Sequence, residues 1–146
     1  MRVFRALDIS ASGLSAQRAR MDVIAENLAN AGTTRTLEGG AYRRKRVILA
    51  AQPSEEARFG LPDILTDRHA GAGVRVARIA EDPSALPLVY DPSHPDARPD
   101  GYVEMPNVNT VVEMVDIISA SRAYEANAAV VGAIKQMAQK ALDMAR

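Results

Sequence analysis

The chain has 146 residues, and its 18 basic and 18 acidic side chains cancel, which argues against a general nucleic-acid or anionic-membrane surface and favours self-association. Only 4% of the residues are aromatic, with no Trp and two Phe, so a large central core is not expected, and zero cysteines exclude disulfides, thiolate metal sites and a cysteine nucleophile. Nowhere do 18 consecutive apolar residues occur, which excludes direct membrane insertion by a helix, and Arg5 and Asp8 break the opening MRVFRALDISASGL, so it does not read as a cleavable Sec-type signal.

The first segment, residues 1–31, reads as a helix from Phe4 to Ala31. Leu7, Leu14, Met21 and Leu28 recur every seven residues, and Ser10, Gln17, Ile24 and Ala31 follow each by three, the two lines of a coiled-coil seam. The second line is polar in its first half, so looser or partly hydrogen-bonded contacts are expected near Ser10 and Gln17. Small residues such as Ala6, Gly13 and Ala16 let another helix come close, although Gly13 costs roughly 1 kcal/mol of helix propensity relative to Ala. Asn30 and Gly32 are expected to end the helix in the left-handed conformation.

Residues 32–106 differ in character, with all eight prolines and most of the glycines. Tyr42 to Ala50 and Val74 to Ala80 carry the β-branched residues of half-buried strands, and Leu86 to Tyr90 and Tyr102 to Met105 are shorter candidates. The last two flank a proline-rich loop, DPSHPDARPDG, that forbids a central strand or helix. Residues 52 to 73 read as a loop.

The third segment, residues 107–146, predicts one long helix of about 36 residues and about 54 Å. Asn107 or Asn109 can cap it, and Pro106 keeps the preceding residue extended. Six of the eight residues from Val111 to Ile118 are apolar, too wide an arc for one neighbouring helix. Met114, Ile117, Ser121, Tyr124, Ala128 and Val131 suggest a seam in which Tyr124 fills a gap between helices. From Val131 the apolar positions step to Ile134, Ala138, Ala141 and Ala145, which implies a slip onto another face. If the two helices pair antiparallel with Asn30 near Asn109, Ile134, Met137 and Leu142 lie beyond the first helix and are expected to dock on neighbouring subunits. The fold class is therefore α+β, long terminal helices forming an antiparallel coiled coil with a small irregular β-containing middle domain.

Local features with chemical potential all have a simpler reading. Arg43, Arg44, Lys45 and Arg46 could grip phosphates, but alternate members of a strand point to opposite faces and no aromatic platform accompanies them. Asp91, His94 and Asp96 are separated by prolines that hinder convergence on a metal, and a turn fits them better. Gly71-Ala72-Gly73 is a fragment of a dinucleotide fingerprint that precedes a strand instead of following one. Glu113 with Asp116, and Asp22 with Glu26, are carboxylate pairs at helical spacing, usually solvated flanks or partners of Arg or Lys. No nucleophile, base and orienting group converge, so no catalytic residue and no cofactor is expected. Other readings of the same residues are a cytosolic coiled-coil adaptor and a small nucleic-acid-binding module.

Ala25-Glu26-Asn27-Leu28-Ala29-Asn30-Ala31-Gly32-Thr33 resembles the N-terminal signature of bacterial flagellar rod and hook proteins. Asn107-Val108-Asn109-Thr110-Val111-Val112-Glu113-Met114-Val115, followed by Ser121-Arg122-Ala123-Tyr124-Glu125-Ala126-Asn127, resembles their C-terminal signature. The middle strings Thr33-Thr34-Arg35-Thr36, Glu38-Gly39-Gly40, Tyr42-Arg43-Arg44 and Tyr90-Asp91-Pro92-Ser93-His94-Pro95 are similar to the FlgC family of proximal-rod proteins, with Leu37 where that family often has proline. The resemblance implies a structural, non-catalytic subunit of the basal-body rod in the periplasm, whose terminal helices line an inner tube. It also implies passage through the flagellar type III export apparatus without a cleaved signal, and neighbours that are copies of itself, FlgB, FlgF and FliE.

Overall fold

The computed structural model describes residues 2–52 and 73–144. The loop expected at residues 52 to 73, with His69, lies almost wholly outside them. Two long helices enclose four short strands: α1 (Arg2–Ala29), β1 (Lys45–Ala51), β2 (Val74–Glu81), β3 (Leu88–Tyr90), β4 (Tyr102–Glu104) and α2 (Thr110–Met144).

The helices lie side by side and antiparallel. Asn27 bonds Glu113, Arg20 bonds Asp116, and a Cβ on Gly13 would stand 3.0 Å from the Asn127 side chain, so numbers fall along α1 as they rise along α2. The α1 side of this contact runs Ala6, Ser10, Gly13, Gln17, Arg20, Ile24 and Asn27, alternate steps of four and three made mostly of small and polar residues. Leu7, Leu14, Met21 and Leu28 flank that line and are only half-buried, whereas Ser10, Ile24 and Asn27 are buried. Ser10 is therefore closely packed and not loose, because the small side chains let α2 sit close, as their frequency suggests. A second line, Ser12, Ala16, Ala19 and Val23, lies on the flank that meets the strands, where Val74 N–H donates to the Ser12 hydroxyl at 3.0 Å.

The expected slip in α2 does not occur. Its positions turned toward α1 are Glu113, Ile117, Ala120, Tyr124, Asn127, Val131, Ile134 and Ala138, steps of four and three without a break. Two of these are polar, so a register drawn through the apolar neighbours Met114 and Ala128 drifts one position and carries Ser121 in place of the buried Ala120. Met114 is 51% exposed and Ile134 only 5%. Ile134 is therefore covered by its own chain, contrary to the expectation that everything from Ile134 onward lacks an intrachain partner. The reason is length: α1 runs from Arg2, and at equal rise its first turn stands opposite about residue 138.

The ends of the helices follow side-chain chemistry. Asn109 caps α2, its Oδ1 accepting from the Val111 and Val112 amides at 3.0 and 3.2 Å. At the end of α1, neither Asn30 nor Gly32 has positive φ, which corrects the left-handed termination expected there. Instead the Asn30 Nδ2 donates back to the Glu26 carbonyl at 2.9 Å, and its Oδ1 accepts from the Thr33 hydroxyl at 3.2 Å. The Glu26 carbonyl thus takes a second donor beside the Asn30 backbone amide at 3.1 Å, and the last carbonyls are met by tight turns, the Ala31 amide donating to Leu28 at 3.3 Å and the Thr33 amide to Asn30 at 3.0 Å.

β1 and β2 pair antiparallel from Lys45 opposite Glu81 to Ala51 opposite Val74, with an irregularity between Ile48 and Leu49. The first strand starts three residues later than expected because the Arg44 amide donates to the Asn107 side chain at 2.7 Å instead of to a strand. Gly73, at φ 116°, passes so close to α1 that a Cβ there would lie 2.3 Å from the Ser12 hydroxyl. β3 and β4 pair around the proline-rich loop. In that loop the Asp91 carboxylate accepts from Ser93, His94 Nδ1 accepts from the Asp96 amide at 3.1 Å, and Asp96 accepts from the Thr34 hydroxyl at 2.8 Å. Those are turn contacts, and they do not converge on a common point.

Candidate functional site at the helix junction

Asn27 and Glu113 are each 1% exposed, and with Val103 they are the largest fully buried side chains among the described residues. The apolar core is small by comparison, Ala16, Val23, Ile24, Ala41, Tyr42, Val103, Ala120 and Ile134. What fixes the end of the helix pair is therefore polar.

Asn27 projects from the last turns of α1 to the place where α1, β1 and α2 meet. Its Nδ2 donates to the Lys45 carbonyl at 2.8 Å and to Glu113 Oε2 at 3.0 Å. Its Oδ1 accepts from the Lys45 amide at 2.9 Å and the Tyr42 hydroxyl at 3.0 Å. An amide side chain has two N–H donors and two acceptor sites, so Asn27 makes all the bonds it can. The paired bonds to Lys45 imitate one rung of a strand ladder, which lets a helix hold a strand in register.

Glu113 enters from the first turn of α2. Its Oε1 accepts from Arg44 Nε at 2.6 Å, a charge-assisted bond that gives the buried carboxylate a cationic partner. Arg44 then reaches Asp116 at 3.4 Å and Asp82 at 4.0 Å, while Asp116 also receives Arg20 at 3.1 Å and Asp82 receives Arg46 at 3.5 Å. Lys45 binds Glu26 at 2.6 Å with its ammonium 5.6 Å from the Tyr42 ring centroid. Burial, reinforced by the nearby Glu26 carboxylate, pushes the Tyr42 phenol above its ordinary pKa. The bond to Glu26 raises Lys45. Asp82 is held below its usual value by the Ser84 amide and hydroxyl.

The basic run thus has internal work. Arg44, Lys45 and Arg46 all bridge to carboxylates, and Arg43 donates to the Ser84 carbonyl at 3.3 Å. The residues from Asn107 onward close the same junction, with Asn107 Nδ2 donating to the Ser84 hydroxyl at 2.8 Å and the Asp82 carbonyl at 3.2 Å. Of the residues singled out from sequence, Asn27, Asn107 and Glu113 come together here, while Asn30 with Thr33 and Asn109 bond locally at the adjoining helix ends. Tyr42, Asp82 and the Lys45 backbone were not foreseen, since nothing in their local pattern marks them as partners. Arg44 and Asp116 carried one usable signal, a carboxylate pair at helical spacing with a basic strand elsewhere in the chain.

The other residues form apolar surfaces. Ile117 and Val131 are half-buried against α1, and Tyr124 lies on that face with 37% of its surface exposed. Val111, Val112, Met114, Val115 and Ile118 form an exposed apolar patch over the first turns of α2, and Met137, Leu142 and Met144 are exposed near its end. Leu28 is half-buried, Val108 and Ala123 likewise, whereas Ala29, Arg122, Glu125 and Ala126 face outward. Among the described residues no group of three metal-binding side chains converges, and no helix is long and apolar enough to cross a membrane.

Two family models match the two ends that build this junction: a flagella basal body rod protein model over residues 7–35, and a flagellar basal body rod FlgEFG protein C-terminal model over residues 100–144. The chain is 51% identical to the flagellar basal-body rod protein FlgC of Borreliella burgdorferi over 97% of both chains. It is 44% identical to that of Bacillus subtilis over all of both chains, and 39% identical to that of Escherichia coli O6:H1 over 99% of this chain and 98% of the other. A polar junction assembled from both matched ends, together with relatedness along essentially the whole length, places the chain in the FlgC family of flagellar basal-body rod proteins.

Proposed function

We propose that the chain is a structural subunit of the proximal rod, self-assembling through its terminal helices into a tube that serves as drive shaft and export channel, with the β-containing middle held outside. It is a rod protein and not an enzyme, in keeping with the names of its relatives. The observation that carries the assembly reading is the exposed patch Val111, Met114, Val115 and Ile118, on the side of α2 turned away from α1. Such a patch at the start of a long helix calls for a second helical neighbour. Covering it would contribute about 1.5–3 kcal/mol per large side chain, a gain available only in the assembly. The alternating steps of four and three on both helices suit coiled-coil packing in that assembled state.

The neighbours in this reading are copies of the chain with FlgB, FlgF and FliE, reached after unfolded passage through the flagellar type III export apparatus into the periplasm. Replacing Val115 and Ile118 by Asp tests it. The variant should be made and exported in normal amount but be absent from purified basal bodies, and the cells should not swim. Basal bodies that incorporate the double variant normally would overturn the assembly role of this face.

A further inference from the structure

Four charged side chains on the outer faces of the helices have no ion-pair partner among the described residues. Arg18 and Asp22 stand one turn apart on the side of α1 turned away from α2 and from the strands, and Arg122 and Glu125 stand one turn apart on the outer side of α2. All four are exposed. In both pairs the cation comes first, so two such faces meeting antiparallel set each cation against an acid, whereas a parallel meeting sets like against like. Antiparallel is also the sense in which copies of one polarity bring α1 of one beside α2 of the next, because the two helices already run antiparallel within the chain.

The register with Arg18 opposite Glu125 and Asp22 opposite Arg122 lays Ala11 over Gly132, Ser15 over Ala128 and Ala129, and Ala25 over Ile118. A Cβ built on Gly132 would meet nothing within 4 Å, so the single chain gives no reason for a glycine inside α2, where alanine is the better helix former. A second helix crossing close over Gly132 supplies one. Ile118, exposed in the single chain, gains a cover whose small side chains let it sit close.

We propose that the outward face of α1 in one copy lies antiparallel on the outward face of α2 in a second copy, with Arg18 against Glu125 and Asp22 against Arg122. The inference rests on the rod reading and names one contact within it. Relative to the intrachain register, in which Gly13 faces Asn127, the neighbour's α1 is advanced by about three to four residues, roughly 5 Å along the axis. The two faces are different surfaces of one chain, so the contact is heterologous, and with an axial offset at each step it repeats as a helix instead of closing as a flat ring.

The chain has no cysteine, so introduced pairs report this contact alone in an oxidising compartment. Ala25→Cys with Ile118→Cys, and separately Ser15→Cys with Ala129→Cys, are placed in the full-length chain in motile cells, and basal bodies are isolated without reductant. Within one chain the two positions of each pair face away from each other, so a disulfide joins two copies. The expected product is a ladder of linked multimers that neither single variant gives. Arg18→Glu should lower its yield several-fold, and adding Glu125→Arg should restore it. Gly132→Leu should melt at or above the parent temperature as an isolated chain yet be missing from basal bodies. Basal bodies that contain either cysteine pair without a ladder, dimers from one cysteine alone, or normal incorporation of Gly132→Leu would overturn the contact and leave the rod reading standing. Absence of the parent chain from basal bodies would overturn both.

Discussion

Removing Asn27 is the most direct test of whether the polar junction organises the fold. Asn27→Ala deletes all four hydrogen bonds and leaves the Lys45 amide and Glu113 Oε2 facing a space too buried for free water. A buried polar group without a partner costs about 1–3 kcal/mol, so two such groups with the lost Tyr42 contact amount to roughly 3–6 kcal/mol. That is a large share of the ~5–15 kcal/mol by which a domain is stable. Urea unfolding of the purified full-length chain by far-UV circular dichroism reads the difference, and exchange of the Lys45 amide reads the local opening. Asn27→Asp sharpens the test. It keeps the shape, but sets a second carboxylate 3.0 Å from Glu113 and beside the Lys45 carbonyl, so it should be at least as damaging as alanine at pH 7. The inserted acid would have a raised folded-state pKa, so its damage should lessen as pH falls and it becomes protonated. A loss below about 1 kcal/mol for the alanine variant, with Lys45 exchange unchanged, would refute the reasoning and show that the junction is dispensable.

Arg44→Ala should cost roughly 3–5 kcal/mol in the same urea assay, because it leaves the buried Glu113 carboxylate without its cation. Acid should weaken the fold as pH falls below about 4, since Asp82 and Asp91 titrate below their usual value of 3.8 when folded and their contribution is present only above it. Alkali should weaken it as pH rises past about 10, since Tyr42 and Lys45 are both raised and their contribution is lost as they deprotonate; a circular-dichroism pH titration of Tyr42→Phe should show a smaller alkaline loss. Ile134→Ala should destabilise the isolated chain by about 2–5 kcal/mol, whereas deletion of residues 139–146 should leave its melting unchanged and stop rod growth in a motility assay. An Ile134→Ala chain that melts like the parent would return that residue to the intersubunit surface.

The helices were legible because capping and length are local properties: Asn109, Pro106 and the unbroken run after it locate α2 within a few residues. Strand positions came through as well, since β-branched runs mark them. The face of α2 did not, and the reason is specific. A seam is found by joining apolar residues, but Glu113 and Asn127 occupy seam positions while Met114 and Ala128 beside them point outward. Their partners lie far off in the sequence, Asn27 and Gly13 on the other helix, so nothing near Glu113 says that it is buried. The same holds for the end of α1, where tight backbone turns through Leu28 and Asn30 close the helix and Gly32 is left without the role its identity suggests.

The division between polar and apolar surfaces bears on how such a subunit can be both exact in shape and ready to assemble. A pair of helices joined through Ser10, Gly13, Gln17, Ala120 and Asn127 buries little apolar area of its own, and its most apolar turns, at Val111 to Ile118, face solvent. Burial in the single chain therefore gives a weak preference for orientation, whereas hydrogen bonds are lost within a few tenths of an ångström and a few tens of degrees. Placing Asn27, Glu113 and Arg44 where α1, β1 and α2 meet sets the angle between the helices and the strands by geometry. The apolar side chains are then free to face outward, where a neighbouring subunit and not the chain itself would cover them. An apolar junction of the same volume would hold the parts together without fixing their angle, and a subunit whose angle varied would present its outward faces to its neighbours out of register.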